Sequence, residues 1–455
     1  MKRKRGYALL LGTLGCWGGV AISPALAQDV ASTTSLDGIW VLLSGFFVFF
    51  MQTGFAMLEA GLVRQTGAIN CLLENFIDAG VTALVFWAVG FGLAFGNSLG
   101  GILGTDGFFL GGALQVGTTG SVIYRLGMAG IDSSLPTFVL FFFHFAFAAT
   151  ASTIVTGAMA ERTHFVGDLV YSVVMGAIIY PLVAHWVWNK GGWLAQLGFR
   201  DFAGSAVVHA VGGITALVGA AFLGPRAKRV WDALPPGHNM SLATLGAMIL
   251  WFGWYGFNAG STLTAQNPGL LGLIVTNTTL AAGAGAVSSL VYVFQRIRTW
   301  HLFVSLNGSI AGLVAITAGC AYVMPWAAVL VGAIAGVLVI VSADFIESQR
   351  IDDPVGAFSV HGACGIFGTV AVGLLAVPAL TGGNGGLLTS GNPSLLLVQL
   401  LGIGAIALFA TLAATILFGW LKAQNLLRVS AEADELGIDA VEHGASVWPD
   451  VYKPQ

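Results

Sequence analysis

The chain has 455 residues, of which 56% are hydrophobic and only 9% charged, with a formal net charge of −3 and a mean hydropathy of +0.85. Soluble globular domains carry roughly 25% charged residues, so this composition excludes a water-soluble enzyme, and its slight acidity gives no ground for a nucleic-acid partner. Apolar runs of about 20 residues recur along the length, each able to cross a ~30 Å hydrocarbon core at 1.5 Å per helical residue, which predicts an all-α polytopic membrane protein and not a barrel.

The N-terminal stretch MKRKRGYALLLGTLGCWGGVAISPALAQDV joins four basic residues to a short apolar core and an Ala25-Leu26-Ala27 exit. This is the pattern of a secretory signal, and residues 1–27 are expected to be removed after Ala27. A lipoprotein reading of Cys16 fits poorly, because that cysteine lies inside the apolar core. Cys71, Cys320 and Cys364 are spread over distant segments without CxxC or CxxH spacing, so neither a disulfide framework nor a zinc site is expected.

Eleven membrane helices are expected, at about 35–63, 76–97, 135–160, 168–188, 202–224, 242–264, 270–295, 303–321, 327–346, 355–378 and 394–424. A cleaved signal leaves the N-terminus outside, and an odd number of spans then puts the C-terminus inside. The loops that this topology places inside carry Arg64, Arg162, Arg226, Lys228, Arg229, Arg296, Arg298, Arg350, Lys422, Arg428 and Lys453, against Arg125, Lys190 and Arg200 outside. That asymmetry obeys the positive-inside rule. The 64 glycines suit helices that approach closely in lipid.

An internal repeat is visible. DFAGSAVVHAVGGITALV (201–218) matches DPVGAFSVHGACGIFGTV (353–370), aligning Asp201 with Asp353, His209 with His361 and Gly213 with Gly365, and Gly54-Phe55 is echoed by Gly256-Phe257. Helices 1–5 and 6–10 are thus expected to be two copies inverted in the membrane, with helix 11 appended and with extra residues of the first half in the glycine-rich outer loop 98–134.

Inversion carries both histidines to the membrane midplane. His209 lies about eight residues into a helix entered from outside and His361 about seven into one entered from inside, or ~12 and ~10 Å at the helical rise. Facing imidazoles can share an N–H···N hydrogen bond, each fixing the other's tautomer. A lone intramembrane histidine often only bonds a neighbouring helix, but the repeated Asp-x7-His spacing favours a functional pair. His144 and His185 show no such pattern and read as structural or vestibule residues. Asp201 and Asp353 stand in the first turns of their helices, where an N-cap is the plain role; Asp201 also closes the outer loop and could draw cations to the mouth. Trp188, Phe143, Phe147, Trp254 and Phe257 cluster at that end, and aromatic faces attract a partly desolvated small cation by ~1–2 kcal/mol. Most tryptophans near a bilayer edge are interfacial belt, but Phe147 and Phe257 lie deep enough to line a path. Ser261 offers a hydroxyl acceptor.

Taken together, GFAMLEAGLVR, FAFAATASTIVTGAMAER, HWVWNKGGWLAQLGFRDFAGSAVVHAVGG, WYGFNAGS and DDPVGAFSVHGACGIFG resemble the ammonium transporter (Amt) branch of the Amt/Mep/Rh superfamily, from about residue 35 into the tail. The resemblance implies a homotrimer of eleven-helix protomers in the cytoplasmic (inner) membrane of the cell, each with its own pore and no cofactor, taking up ammonium and methylammonium. By position it implies an outer cation site of Trp188, Phe147 and Ser261 with Phe143 and Trp254 near it. It further implies a ring stack of Phe147 and Phe257, an acidic residue at Asp201 and a twin-His pair at His209 and His361. Two positions depart: His144 stands where glutamine is expected, and Arg200 stands beside Asp201 where an apolar residue is usual, able to pair with Asp201 or to oppose cations.

The expected mechanism is recruitment of ammonium, loss of its proton near the phenylalanine constriction, and passage of ammonia. An unpaired cation in a dry apolar lumen costs many kcal/mol, whereas ammonia needs only a hydrogen bond or two. Two other classes stay open: a b-type haem protein, since facing histidines ligate iron, and an ammonium sensor, although no fused output domain is recognisable up to residue 455. The tail 425–455 after the membrane domain 28–424 is acidic and reads either as a solvated terminus or, by the resemblance, as a regulatory segment packed beneath a neighbouring protomer, with a PII-type protein able to plug the inner face.

Overall fold

A computed structural model describes residues 24–117, 121–227, 229–232 and 237–447. Most of the expected signal segment, with Cys16, lies outside the described residues, as do Lys228 and Lys453. Among the described residues ten helices are long and apolar enough to cross a bilayer, and an eleventh is apolar but shorter. They are α1 (Pro24–Leu62), α2 (Gln65–Phe95), α3 (Thr137–Met159), α4 (165–188), α5 (Ser205–Leu223), α6 (Met240–Gly260), α7 (Pro268–Ile297), α8 (Leu302–Thr317), α9 (Pro325–Ser348), α10 (Phe358–Leu375) and α11 (Ser394–Ala423).

All eleven expected helices are present; the largest shifts are at the start of α1, which begins at Pro24 and not near residue 35, and at the start of α2, which begins at Gln65 and not near residue 76. Its first turns carry Asn70, Glu74, Asn75 and Asp78, which lower the local hydropathy, yet all four are buried against other helices and none meets lipid. Sequence hydropathy cannot tell a protein-facing polar residue from a loop. The short α8, about 24 Å long at 1.5 Å per residue, is buried over nearly all of its length. Enclosed by other helices, it has no need to match the thickness of the hydrocarbon.

The glycine-rich loop after α2 is more structured than its sequence implies, holding three two-stranded antiparallel ladders between Ser98 and Pro136. α4 widens into a π-turn at Met175–Ile179 immediately before Pro181. Proline lacks the N–H that an α-helical turn would need there, and a π-turn accommodates the gap.

The repeat is explicit at the starts of α5 and α10. Asp201 accepts from the backbone amides of Gly204 (3.0 Å), Ala206 (2.8 Å) and Val207 (2.9 Å). Asp353 accepts from Gly356 (3.0 Å), Ala357 (2.9 Å) and Phe358 (2.9 Å). Each cap turns on a glycine of positive φ, Gly204 at 116° and Gly356 at 80°, and each opens a π-helical segment holding the histidine, Ser205–Ala210 and Phe358–Ala363. The two helices run antiparallel: Asp352, at the start of α10, accepts from Arg226, just past the end of α5, at 2.8 Å. They touch at the repeat-matched glycines, where a methyl on Gly213 would collide with the backbone of Gly362 and one on Gly365 with that of Ser205 and Ala210. α11 packs against α5 and α10 as an added helix.

Candidate functional site

At the outer end of α3, α4 and α6 lies a pocket lined by Phe143, His144, Phe147, Trp188 and Ser261, together with Phe95, Ile131, Phe202 and Leu263. Helical spacing sets Phe143 and Phe147 one turn apart on α3, their centroids 4.7 Å apart. Trp188 is the last residue of α4, and its indole Nε1 donates to the backbone carbonyl of Asp201 at 2.8 Å. Ser261 caps the end of α6 and donates its hydroxyl to Phe257 O at 2.8 Å, so its oxygen lone pairs stay free for an occupant. No charged side chain lines the pocket.

Inward, Phe147 and Phe257 stack at 4.0 Å with an interplanar angle of 24° and close the pocket's floor. Phe257 lies 5.4 Å from the ring of His209. The His209 and His361 rings are 5.3 Å apart, with Nδ1 to Nδ1 at 3.2 Å, so one ring donates an N–H to the other. A metal bound by both nitrogens would hold them roughly 4 Å apart, so the haem reading does not fit this contact. His209 Nε2 is buried and has no partner among the described residues. Below His361 a narrow cavity is bordered by Phe55, Glu59, Ile154, Asn307 and Val360, and Asn307 also borders a wider cavity with Asp353 and Ser359. The line from the outer pocket through the Phe147–Phe257 stack and the two imidazoles to this inner cavity forms a column, and besides His361 the polar side chains bordering its inner cavity are Glu59 and Asn307.

Of the residues named from the sequence, Trp254, Asp201 and Arg200 sit elsewhere than at the mouth or act otherwise, while Asp353 and His185 keep the plain roles of helix cap and structural residue. Trp254 is not a pocket residue: it is fully buried, stacks on His209 at 5.0 Å and 18°, and donates Nε1–H to Thr317 Oγ1 at 2.8 Å. Asp201 is 4% exposed and spends its carboxylate on backbone amides, so it reaches the mouth only through Trp188. Burial raises its carboxyl to about 6, with those amides pulling the other way. Asp353 is its repeat counterpart and likewise a cap. Arg200 neither pairs with Asp201 nor faces the pocket: its guanidinium donates to Thr381 O at 3.3 Å and lies 6.0 Å from the Tyr322 ring centroid. His185 is structural, hydrogen-bonded to Ala94 O (3.0 Å) and Ser98 Oγ (2.8 Å).

Phe55, Glu59, Phe95 and Phe202 border the column or its mouth without having been singled out. Glu59 had a signal, as an acidic residue within an otherwise apolar span; it accepts from Asn75 Nδ2 at 2.8 Å and from Thr156 Oγ1 at 2.8 Å. Phe55 had one too, as the repeat match of Phe257, whereas Phe95 and Phe202 had none among the 30 phenylalanines in the chain.

On the opposite face Glu161 joins Arg64 and Arg226, and Asp352 joins Arg226 and Arg229. Burial alone would raise the Asp352 carboxyl, but the hydrogen bond from Arg226 and the nearby Arg162 guanidinium outweigh it and hold it well below the usual range. The tail is docked onto this face and is not a free terminus. Val429 N donates to Arg162 O at 3.1 Å and His164 N to Leu427 O at 3.0 Å. Beyond them lie two short helices, α12 (Ala431–Leu436) and α13 (Ile438–Glu442). Asp439 accepts from Ile69 N (2.9 Å) and Asn70 N (2.8 Å), near the start of α2.

The sequence model of the Ammonium Transporter Family matches residues 39–448. The chain is 43% identical over 440 residues to ammonium transporter Amt2 of Archaeoglobus fulgidus, covering 91% of this chain and 88% of that one. To ammonium transporter 3 of Dictyostelium discoideum it is 35% identical over 446 residues, covering 94% and 98%. Among solved structures, one described as a sensor Amt protein superposes with a TM-score of 0.82 at 36% identity over 91% of this chain and 100% of that one. The crystal structure of Mep2 from Saccharomyces cerevisiae does so with a TM-score of 0.80 at 30% identity over 92% and 93%.

Proposed function

The chain belongs to the ammonium transporter family, a family of multi-pass membrane proteins that are not enzymes, and from that premise we propose that it conducts ammonium-derived nitrogen through the column between the outer pocket and Glu59. Ammonium enters the pocket, held by the faces of Trp188, Phe143 and Phe147 and by the free lone pairs of Ser261. At the Phe147–Phe257 stack it gives up a proton to water on the outer side, because the space beyond offers no counter-charge to a desolvated cation. Ammonia passes the imidazole nitrogens of His209 and His361 by exchanging one hydrogen bond for another, and Trp254 holds the His209 ring in plane. Potassium, with no proton to release, stops at the stack.

The observation that carries this reading is the unbroken order of rings and nitrogens: a pocket, a stacked phenylalanine pair at 4.0 Å and a histidine pair at 3.2 Å. Its setting is a homotrimer in the cytoplasmic membrane, with the pocket facing outward, residues 1–27 removed as a signal, and the docked tail adjusting the rate, open to a PII-type partner. Purified protein in proteoliposomes provides the test. Ammonium and methylammonium jumps should produce transport, and potassium should not; equal potassium flux would overturn the reading.

A further inference from the structure

We propose that His144 is a substrate-contacting residue of the outer pocket, where a ring nitrogen accepts a hydrogen bond from an N–H of bound ammonium. The inference rests on reading that pocket as the ammonium entry site. From sequence alone His144 has no partner pattern and passes for a structural or vestibule residue, standing where the resemblance expects a glutamine. The structure separates it from that role. His185, one α-helical element away, has protein partners for both ring nitrogens. His144 is only 7% exposed, and neither Nδ1 nor Nε2 has a hydrogen-bond partner among the described residues.

An imidazole enclosed by rings and left without partners costs the fold free energy unless something else satisfies it. Its neighbours cannot: Phe95 lies at 4.2 Å, Phe143 at 5.5 Å, Trp188 at 6.0 Å and Phe147 at 6.3 Å between centroids. The same ring borders the cavity bordered by Trp188 and Ser261, so the occupant of that cavity is the partner at hand.

The chemistry selects the occupant. A neutral imidazole presents one lone pair, and with no protein group fixing the tautomer, whichever nitrogen is nearer the occupant can present it. Ser261 has committed its hydrogen to Phe257 O and offers only lone pairs. The pocket therefore holds two acceptors of fixed position among aromatic faces. That set matches a small cation with directional N–H donors. An alkali cation gains less, since it needs several oxygens around it and finds one. Methylammonium keeps three N–H groups and can use both acceptors while its methyl rests on a ring.

The test compares His144→Leu with His144→Gln, which are close in volume and differ in having an acceptor, beside Trp188→Leu as a control on the pocket itself. Transport in proteoliposomes is fitted for half-saturation and maximal rate. His144→Leu should raise the half-saturating ammonium concentration by about tenfold, the equivalent of ~1.4 kcal/mol, with the maximal rate within about twofold, and His144→Gln should restore most of the affinity. Unchanged half-saturation in His144→Leu with a shift in Trp188→Leu would overturn the proposal and leave the pocket reading standing. No shift in either would remove both. A fall confined to maximal rate, or no restoration by glutamine, would assign His144 a structural role and likewise overturn the proposal. A measurement on the unmodified protein stands beside the variants. In histidine labelled with nitrogen-15, saturating ammonium should move the His144 ring resonances, identified by their loss in His144→Gln, and sodium should not. Resonances unmoved by ammonium would also sink the proposal.

Discussion

The indole of Trp188 is tied to the backbone carbonyl of Asp201 at 2.8 Å, while the Asp201 carboxylate caps the start of α5. One short segment therefore sets both the aromatic wall of the mouth and the height of His209, which lies in the π-helical first turns of the same helix.

Asp201→Asn replaces one acceptor oxygen with an NH2 that faces amide donors. A lost cap costs about 1 kcal/mol, which a bundle of this size survives, so the expected result is a folded protein with strongly reduced methylammonium uptake. Normal uptake by folded Asp201→Asn would show that neither the charge nor the full cap matters. Acidity offers a second route to the same question. The folded carboxyl, near 6, lies above its ordinary value of 3.8, so protonation favours the folded state and acidification takes no stability away through this group. Uptake should fall as the outer pH drops through about 6, with no loss of thermal stability through Asp201 over that range; the comparison is with Asp201→Asn, which should show no such step.

Gly213→Ala tests the crossing of α5 and α10. The added methyl meets the Gly362 backbone, and helices in such contact can only move apart. The His209–His361 contact of 3.2 Å should lengthen beyond hydrogen-bond reach, with transport lost and the folded protein still extractable. The same result is expected for Gly365→Ala, the repeat counterpart. An alanine variant that transports at the normal rate would mean that the histidine contact tolerates separation.

His209→Asp puts an ionisable acid into the apolar column. An anionic side chain there supplies the counter-charge that the native lumen lacks, so potassium should begin to pass along with ammonium. If the variant conducts ammonium yet still excludes potassium, selection resides wholly at the Phe147–Phe257 stack and the pocket above it.

Asp439→Ala removes the acceptor for the amides of Ile69 and Asn70 without touching the column. Loss of a capping acceptor of this kind is worth about 0.5–2 kcal/mol, enough to loosen the tail but not the bundle, whose helices satisfy their own backbone hydrogen bonds. Proteolysis of the tail should speed up and the transport rate should fall. When variant and wild-type chains are co-expressed, a defective tail that depresses neighbouring chains gives a rate below the wild-type fraction; strict proportionality would leave independent pores.

Period and composition by themselves determined the helices and the pairing of the repeats. Apolar runs of bilayer length yield eleven helices, because lipid allows the backbone few other arrangements. The Asp-x7-His repeat yields the antiparallel relation of α5 and α10 and the meeting of His209 with His361, because an inverted copy must return equivalent residues to one level. Tertiary structure alone decided whatever depends on the neighbour a polar group finds. The cap role of Asp201 and Asp353 was legible from their matched positions, but that Asp201 is buried away from the mouth was not. Trp254, an aromatic among those grouped at the mouth, flanks the histidines because α6 runs deeper beside Thr317 than its sequence neighbours suggest. Arg200 turns to Thr381. The tail, acidic and solvated by composition, is docked because Asp439 meets free helix-start amides. His144 and His185 both lack a repeat partner in the sequence, and although the resemblance marks His144 as standing in place of a glutamine, it is the surroundings of their nitrogens, satisfied in one and unmet in the other, that set the pocket residue apart from the strut.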